Sequence, residues 1–240
     1  MAVLIPLWFY AFSSLTYIIA SLVGILLTYF SFKLYSLTGK REQRFLFYAM
    51  ASITLGFAIL SITNIYGYFN FQHCFPVCQF DVTDPNYTFA IKSGNYVYYL
   101  TSLVGYILLA LTYLKSIKIE KLLSKIPRFY LVLPIDMTLL IQTLQHGFHY
   151  PFDNFVFQLF HLLSIVILSY INFNTITNYL ILKTKYSFPV MIGFLFIGSY
   201  HFLMALTPFK PIIFAAAHLS LLAGLVSLLY MLIQVNKRGG

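Results

Sequence analysis

Charged residues are scarce in this sequence. They make up 9% of its 240 residues, whereas hydrophobic residues make up 60%, and the mean hydropathy is +0.82. A soluble domain of this length could not cover its surface with so few charges, so the water-soluble globular classes are excluded. The composition predicts an integral membrane protein.

Several motifs of common membrane and enzyme classes are also missing. The sequence has no phosphate-binding glycine loop, no HExxH and no GxSxG. Its last apolar segment lacks lysine, which excludes retinal binding of the rhodopsin type. The opening MAVLIPLWFYAF lacks a basic stretch, and the apolar run continues to about residue 32, so no cleavable signal peptide is expected.

What the chain does contain is apolar segments long enough to cross about 30 Å of hydrocarbon. Seven are predicted, at residues 7–32, 45–67, 94–114, 129–147, 155–180, 188–208 and 211–234. Lipid offers no partner to open backbone groups, and nothing alternates as a barrel strand would, so the spans are expected to be helices. The chain is therefore predicted to be an all-α integral membrane protein, a single domain of seven transmembrane helices.

The basic residues predict the orientation of these helices. All lysines and arginines except Lys92 and Lys210 fall in alternate loops or in the C-terminal tail. By the positive-inside rule, the N-terminus lies outside and the C-terminus is cytoplasmic, as in a multi-pass protein of the plasma membrane. The net charge of +9 then reflects the orientation of the helices in the membrane. No loop is long enough to form a basic domain, so no nucleic-acid partner is expected.

The second loop, residues 68–93, is predicted to face outward and carries two features typical of that side. Asn86-Tyr87-Thr88 is an N-glycosylation acceptor. Cys74 and Cys78 are the only two cysteines, and a small disulfide is the favoured interpretation on an oxidising side. The alternative, which stays open, is that His73 and the two cysteines bind one copper or zinc ion.

Three histidines lie clearly inside the membrane by their positions in the predicted spans. His161, His201 and His218 are each six or seven residues from the outer end of a span, so all three lie roughly 9–10 Å below the outer boundary at 1.5 Å per residue. Ionisable residues in membrane helices usually face the interior and mark functional sites. One shared depth on three consecutive helices predicts a common haem or metal ligand set. Hydrogen bonding across helix interfaces and proton or substrate handling are the alternatives.

Haem is the prosthetic group that the surroundings of these histidines favour. His218 follows three alanines and His201 follows Gly198 and Ser199, so small residues leave room for a flat macrocycle. His201 and His218 are the predicted axial ligands, with His161 as a substitute ligand or orienting residue. The haem would be of the b type, because there is no CxxCH motif for covalent attachment.

Zinc is the alternative cofactor. His161, His201 and His218 would supply three ligands, and Asp136 is the only acid within a span. Asp136 could assist such a site, orient an imidazole or carry protons. This arrangement would correspond to an intramembrane zinc-dependent hydrolase.

A second candidate site lies at the outer end of the fourth predicted span, in QTLQHGFHYPFDN. His146 and His149 are three residues apart and share a helical face if the helix persists. They are candidates for a second haem or metal, or exposed histidines at the membrane interface. Gln142 and Gln145 could line a wet pocket for a quinol head group.

The chain resembles the polytopic b-type haem subunits of respiratory complexes, in which histidines from neighbouring helices hold haem. More narrowly it resembles the small membrane protein that accompanies the glycosylated cytochrome b558/566 of crenarchaea. The features that carry the resemblance are the Tyr- and Phe-rich archaeal composition, the sequon Asn86-Tyr87-Thr88, and the membrane histidines His161, His201 and His218.

The resemblance implies a membrane subunit of a respiratory electron-transfer complex rather than a stand-alone enzyme. It would hold b-type haem near the outer face and pass electrons from quinol to an extracellular cytochrome or copper protein. Its other partners would be the remaining subunits and the lipid bilayer. Besides the zinc hydrolase, a cofactor-free membrane anchor or assembly subunit, or a transporter, remains an alternative.

Overall fold

The computed structural model describes residues 7–71, 85–113, 154–207 and 211–237. Within these ranges the chain forms helices joined by short turns and contains no strand. The helices are α1 (Leu7–Thr38), α2 (Arg41–Phe71), α3 (Pro85–Tyr113), α4 (Asn154–Leu182), α5 (Ser187–Leu206) and α6 (Pro211–Asn236). All six are long and apolar enough to cross a membrane. For the described residues, the prediction of an all-helical, multi-pass membrane protein is confirmed.

Six of the seven predicted spans coincide with these helices, and the fourth, residues 129–147, lies outside the described residues. The helices extend past several predicted ends, most clearly in α1. Charged Lys33 closes the apolar window, but a lysine near a span end can extend its ammonium to water while the helix continues. The helix ends at Thr38, and Gly39 follows with φ of +63°, the left-handed conformation that commonly terminates helices.

The six helices form a closed ring. Each packs against the next in chain order, and α6 packs against α1. Helices α1, α3, α4 and α6 begin at one end of the ring, where Tyr10, Asn95, His161 and Phe214 line a common cavity. Helices α2 and α5 run the opposite way. We call this end the histidine end.

The opposite end of the ring carries most of the described positive charge, and we call it the basic end. Its lysines and arginines are Lys33, Lys40, Arg41, Arg44, Lys183, Lys185 and Lys237. Among the described basic residues, Lys92 alone lies toward the histidine end, near the start of α3. The described lysines and arginines are therefore distributed between the two ends as their positions in the predicted loops indicate.

The ring is apolar on its outer surface and partly polar inside, as a bundle in lipid requires. Large apolar side chains such as Leu22, Ile62 and Leu100 are exposed. In contrast, the largest fully buried side chains include the tyrosines Tyr98 and Tyr106. The interior thus contains hydroxyl groups that need hydrogen-bond partners.

Helices α5 and α6 pack closely and are joined by hydroxyl groups. The Ser220 hydroxyl donates to the carbonyl of Phe196 at 2.8 Å, and the Ser227 hydroxyl donates to that of Pro189 at 2.9 Å. A Cβ atom on Gly224 would lie 2.8 Å from the carbonyl oxygen of Gly193. Small residues and interhelical hydrogen bonds are the usual means of helix association in membranes, and here they hold α5, which carries His201, against α6, which carries His218.

Candidate functional site

The three membrane histidines lie in the interior of the ring. His161 on α4 is 1% exposed, and His201 on α5 and His218 on α6 are fully buried. The ring of Tyr200 lies between two of them, 6.1 Å from His161 and 5.9 Å from His218 between centroids. The structure therefore gathers the three imidazoles and Tyr200 in one buried cluster.

His161 and His201 are hydrogen-bonded directly to each other. Their Nδ1 atoms are 2.9 Å apart. On its other side, Nε2 of His201 is 2.8 Å from the hydroxyl oxygen of Tyr106 on α3. We call these three residues the histidine–tyrosine chain. It crosses from α3 through α5 to α4, and both ring nitrogens of His201 are occupied within it.

The protons of the histidine–tyrosine chain are coupled, because a neutral imidazole donates from one nitrogen and accepts at the other. If the Tyr106 hydroxyl donates to Nε2 of His201, the Nδ1–H of His201 donates to His161, whose own proton is then on Nε2. In the opposite arrangement, the Nδ1–H of His161 donates to His201, and the Nε2–H of His201 donates to the Tyr106 oxygen. A change at either end therefore shifts the proton positions throughout.

His218 has a different hydrogen-bonding pattern. Its Nδ1–H donates to the carbonyl of Phe214 one turn earlier, at 2.8 Å. Nε2 consequently carries the lone pair, and it is buried without a hydrogen-bond partner in the described part of the chain. The ring is surrounded by aromatic side chains, with centroids 4.1 Å from Phe214 and 5.1 Å from Tyr17. A backbone-fixed tautomer with a bare Nε2 is the usual state of a ligating histidine.

Three tyrosine hydroxyl groups meet beside the histidines. The hydroxyl oxygen of Tyr200 is 3.0 Å from that of Tyr17 and 3.3 Å from that of Tyr98. Sequence reasoning named Tyr200 only as an aromatic wall for a haem, and it missed Tyr17, Tyr98 and Tyr106. The available signal was the spacing of Tyr98 and Tyr106, which are eight residues apart and so share one face of α3.

A partly open cavity of about 90 Å³ lies at the histidine end, and we call it the histidine-side cavity. Its polar lining comes from Ser13, Tyr17, Asn64, Asn95, Tyr98, Tyr99, His161, Tyr200 and Thr207. Most of its surface is apolar, but its size and these polar groups allow it to hold water. Nδ1 of His161 is hydrogen-bonded to His201. Nε2 is therefore the ring nitrogen of His161 that remains available to water in the cavity.

The haem and metal assignments of His161, His201 and His218 stay predictions. No group of three or more His, Cys, Asp or Glu side chains arranged to hold a metal ion occurs among the described residues. Asp136, His146, His149, Cys74 and Cys78 lie outside the described residues. Asn86 is the second residue of α3, but its side chain is not described, and glycosylation there stays a prediction.

Comparison with protein-family models, with curated proteins and with solved structures finds no match to this chain. The resemblance to b-type haem subunits therefore stays a prediction. The fold and the site themselves define a multi-pass helical membrane protein with a buried, hydrogen-bonded chain of two histidines and a tyrosine.

Proposed function

We propose that this protein transfers protons at the histidine end of its bundle, as a membrane subunit of an electron-transfer complex. The observation that carries the proposal is the histidine–tyrosine chain, whose His161 end lines a cavity with several polar groups in its wall. Imidazole is suited to this role because it both accepts and donates a proton near neutral pH. A purely structural hydrogen bond would need neither the second histidine nor the adjoining cavity.

The transfer runs through the four ring nitrogens of His161 and His201. A proton from cavity water binds Nε2 of His161, and the Nδ1–H bond of that ring breaks as its proton passes to Nδ1 of His201. His201 then carries the added proton as an imidazolium, whose Nε2–H donates to the Tyr106 oxygen. The reverse direction uses the same atoms in the opposite order.

The electron-transfer part of the proposal comes from the sequence resemblance. Oxidation of a quinol releases two protons with its two electrons, so a proton acceptor near the outer face would serve such a reaction. The histidine-side cavity, at about 90 Å³, is smaller than the roughly 150 Å³ cavity that holds a benzene ring. It would therefore receive the protons, while quinol binds elsewhere and an extracellular cytochrome or copper protein accepts the electrons.

A b-type haem fits the described residues only in part. His218 offers a bare, buried Nε2, whereas both nitrogens of His201 already have partners. The cavity beside the cluster is too small for the macrocycle. We therefore propose that the haem of the complex belongs to a partner protein. Zinc hydrolysis has no specific support among the described residues.

A reduced-minus-oxidised visible spectrum tests this assignment. The isolated chain is expected to show no b-type band, while the complex purified with its partners shows one. Metal analysis on the same samples should find no stoichiometric zinc. A b-type band in the isolated chain that disappears in the His218→Ala variant would instead place the haem on this chain.

Proton exchange at the histidines tests the proposed function directly. In lipid, ¹⁵N NMR of histidine-labelled protein should show the ring N–H groups of His161 and His201 exchanging with water. The His161→Phe variant is expected to slow exchange at His201, because the route to the cavity is blocked. Leu163→Phe is the matched control, since it adds the same ring to the exposed face of α4. Equal exchange rates at His201 in both variants would contradict the proposal.

We further propose the complete topology of seven spans, with the N-terminus outside and the C-terminus cytoplasmic. Helix α3 ends at the basic end and α4 begins at the histidine end, which supports a further crossing between these two helices. The predicted span at 129–147 would make that crossing. The charge of the basic end supports its cytoplasmic location.

Cysteine labelling tests this topology. In a background with Cys74 and Cys78 replaced by serine, a membrane-impermeant maleimide should label the Ile212→Cys variant in intact cells. The Lys185→Cys variant should react only after the membrane is opened. Ile212 is the exposed second residue of α6 at the histidine end, and Lys185 is exposed between α4 and α5. The reversed pattern of labelling would invert the proposed orientation.

A further inference from the structure

A second cavity, of about 240 Å³, lies at the basic end of the ring, and we call it the basic-side cavity. Most of its lining is apolar, but Glu42 and Gln43 of α2 and Thr112 and Tyr113 of α3 contribute polar groups. The Oε1 atom of Gln43 is buried without a hydrogen-bond partner in the described part of the chain. The cavity can therefore hold water, which would give that oxygen a donor.

The histidine–tyrosine chain lies between the two cavities. His161 lines the histidine-side cavity. At the other end of the chain, Tyr106 is one helical turn from Leu109, which lines the basic-side cavity. Tyr106 and Thr112 are six residues apart on α3, a distance of about 9 Å along the helix. Along the axis of α3, Tyr106 is thus less than two helical turns from the polar lining of the basic-side cavity.

Apolar side chains occupy the interval between Tyr106 and that polar lining in the structure. Leu109 on α3 is 1% exposed, and Phe194 on α5 is 3% exposed, and both also line the basic-side cavity. The hydrogen-bonded path is therefore continuous from the histidine-side cavity to Tyr106 and interrupted by a short apolar section beyond it. Water entering past Leu109 would complete the path, so this section has the position of a gate.

We propose that the protein conducts protons across the bundle, through the basic-side cavity, Tyr106, His201, His161 and the histidine-side cavity. This inference rests on the proposed function of the histidine–tyrosine chain and extends it to the opposite end of the ring. Each proton that enters at one cavity is matched by one that leaves at the other, and rotation of the rings restores the starting arrangement. No oxidant or reductant is consumed.

Proton flux into liposomes tests the inference. The purified chain is reconstituted into liposomes that contain a pH-sensitive dye, and a potassium gradient with valinomycin supplies the driving potential. The wild-type chain should acidify the lumen faster than protein-free liposomes do. The Tyr106→Phe variant should lose this flux entirely, because the phenol oxygen is the only atom of that side chain that can relay a proton.

Two further variants test whether the proton flux depends on the proposed path. Tyr170→Phe removes a phenol from a residue that is 37% exposed on α4 and belongs to neither cavity, so its flux should equal that of the wild type. Thr112→Val removes a hydroxyl group from the basic-side cavity, together with its hydrogen bond to the Leu109 carbonyl, and should reduce flux. Circular dichroism and gel filtration in detergent verify that each variant is folded.

The outcomes separate this inference from the function on which it rests. Wild-type flux no greater than that of protein-free liposomes, or undiminished flux in Tyr106→Phe, overturns conduction across the bundle. If His201 still exchanges protons with water through His161 in the NMR experiment, the proton-transfer function at the histidine end survives that result. If the wild-type chain shows no proton flux and His201 shows no exchange through His161, both proposals are wrong.

Discussion

Replacing His201 with leucine is expected to destabilise the protein more than any other change in the histidine cluster. The substitution leaves the Tyr106 hydroxyl and Nδ1 of His161 without their partners in the buried interior. An orphaned buried polar group costs about 1–3 kcal/mol, and here there are two. Unfolding by SDS titration from mixed micelles should show this loss in the free energy of unfolding.

A double-mutant cycle separates the hydrogen bond from the loss of packing. Tyr106→Phe alone should cost less than His201→Leu, because it removes a hydroxyl and keeps the ring. Adding Tyr106→Phe to His201→Leu should restore part of the stability, since one of the two orphaned groups is then gone. The coupling energy is expected within the range of interhelical bonds in membranes, about 0.6–1.7 kcal/mol. Strictly additive effects would mean that the two side chains do not interact.

The Gly224→Ala variant is expected to separate α5 from α6. The new Cβ would lie 2.8 Å from the carbonyl oxygen of Gly193 and 2.8 Å from Cγ1 of Ile197. The carbonyl belongs to the backbone of α5 and cannot rotate away, so the helices themselves have to move. Overpacking of this kind costs about 1–3 kcal/mol, which should lower the thermal midpoint in detergent.

Gly198→Ala on α5 is the matched control for this change. Among the described residues, the only atom that its Cβ would meet within 4 Å is Nδ2 of Asn172, at 3.0 Å, which is the end of a side chain. A small rotation of that amide relieves the contact, and alanine favours the helix by about 0.8–1.0 kcal/mol over glycine. The variant should be as stable as the wild type or more so. Similar midpoints for Gly224→Ala and Gly198→Ala would contradict the close packing of α5 and α6.

Hydropathy was sufficient to predict the helices. Six predicted spans fall on α1 to α6, because the length of an apolar segment and the lack of backbone partners in lipid are local properties of the chain. The ends were less well predicted. Helix α1 passes Lys33 and stops at Thr38, since a helix end depends on capping geometry and not on the first charge that follows an apolar window.

The candidate site could be predicted only in part. Counting residues from the span ends selected His161, His201 and His218, and all three are buried in the ring. Depth along a helix follows from sequence position, but the direction in which a side chain points depends on how neighbouring helices rotate against each other. Residue counting therefore could not predict that His161 is hydrogen-bonded to His201. Nor could it predict that His218 is hydrogen-bonded to the backbone of its own helix.

The sequence by itself determined that this chain is helical, spans a membrane and buries three histidines, because each of these follows from composition and local spacing. Only the tertiary structure decided that Tyr106, 95 residues before His201 in the chain, is its partner, and that a cavity lies at each end of the ring. Both depend on contacts between helices distant in sequence. Such contacts are set by packing around the whole ring, which no single segment specifies.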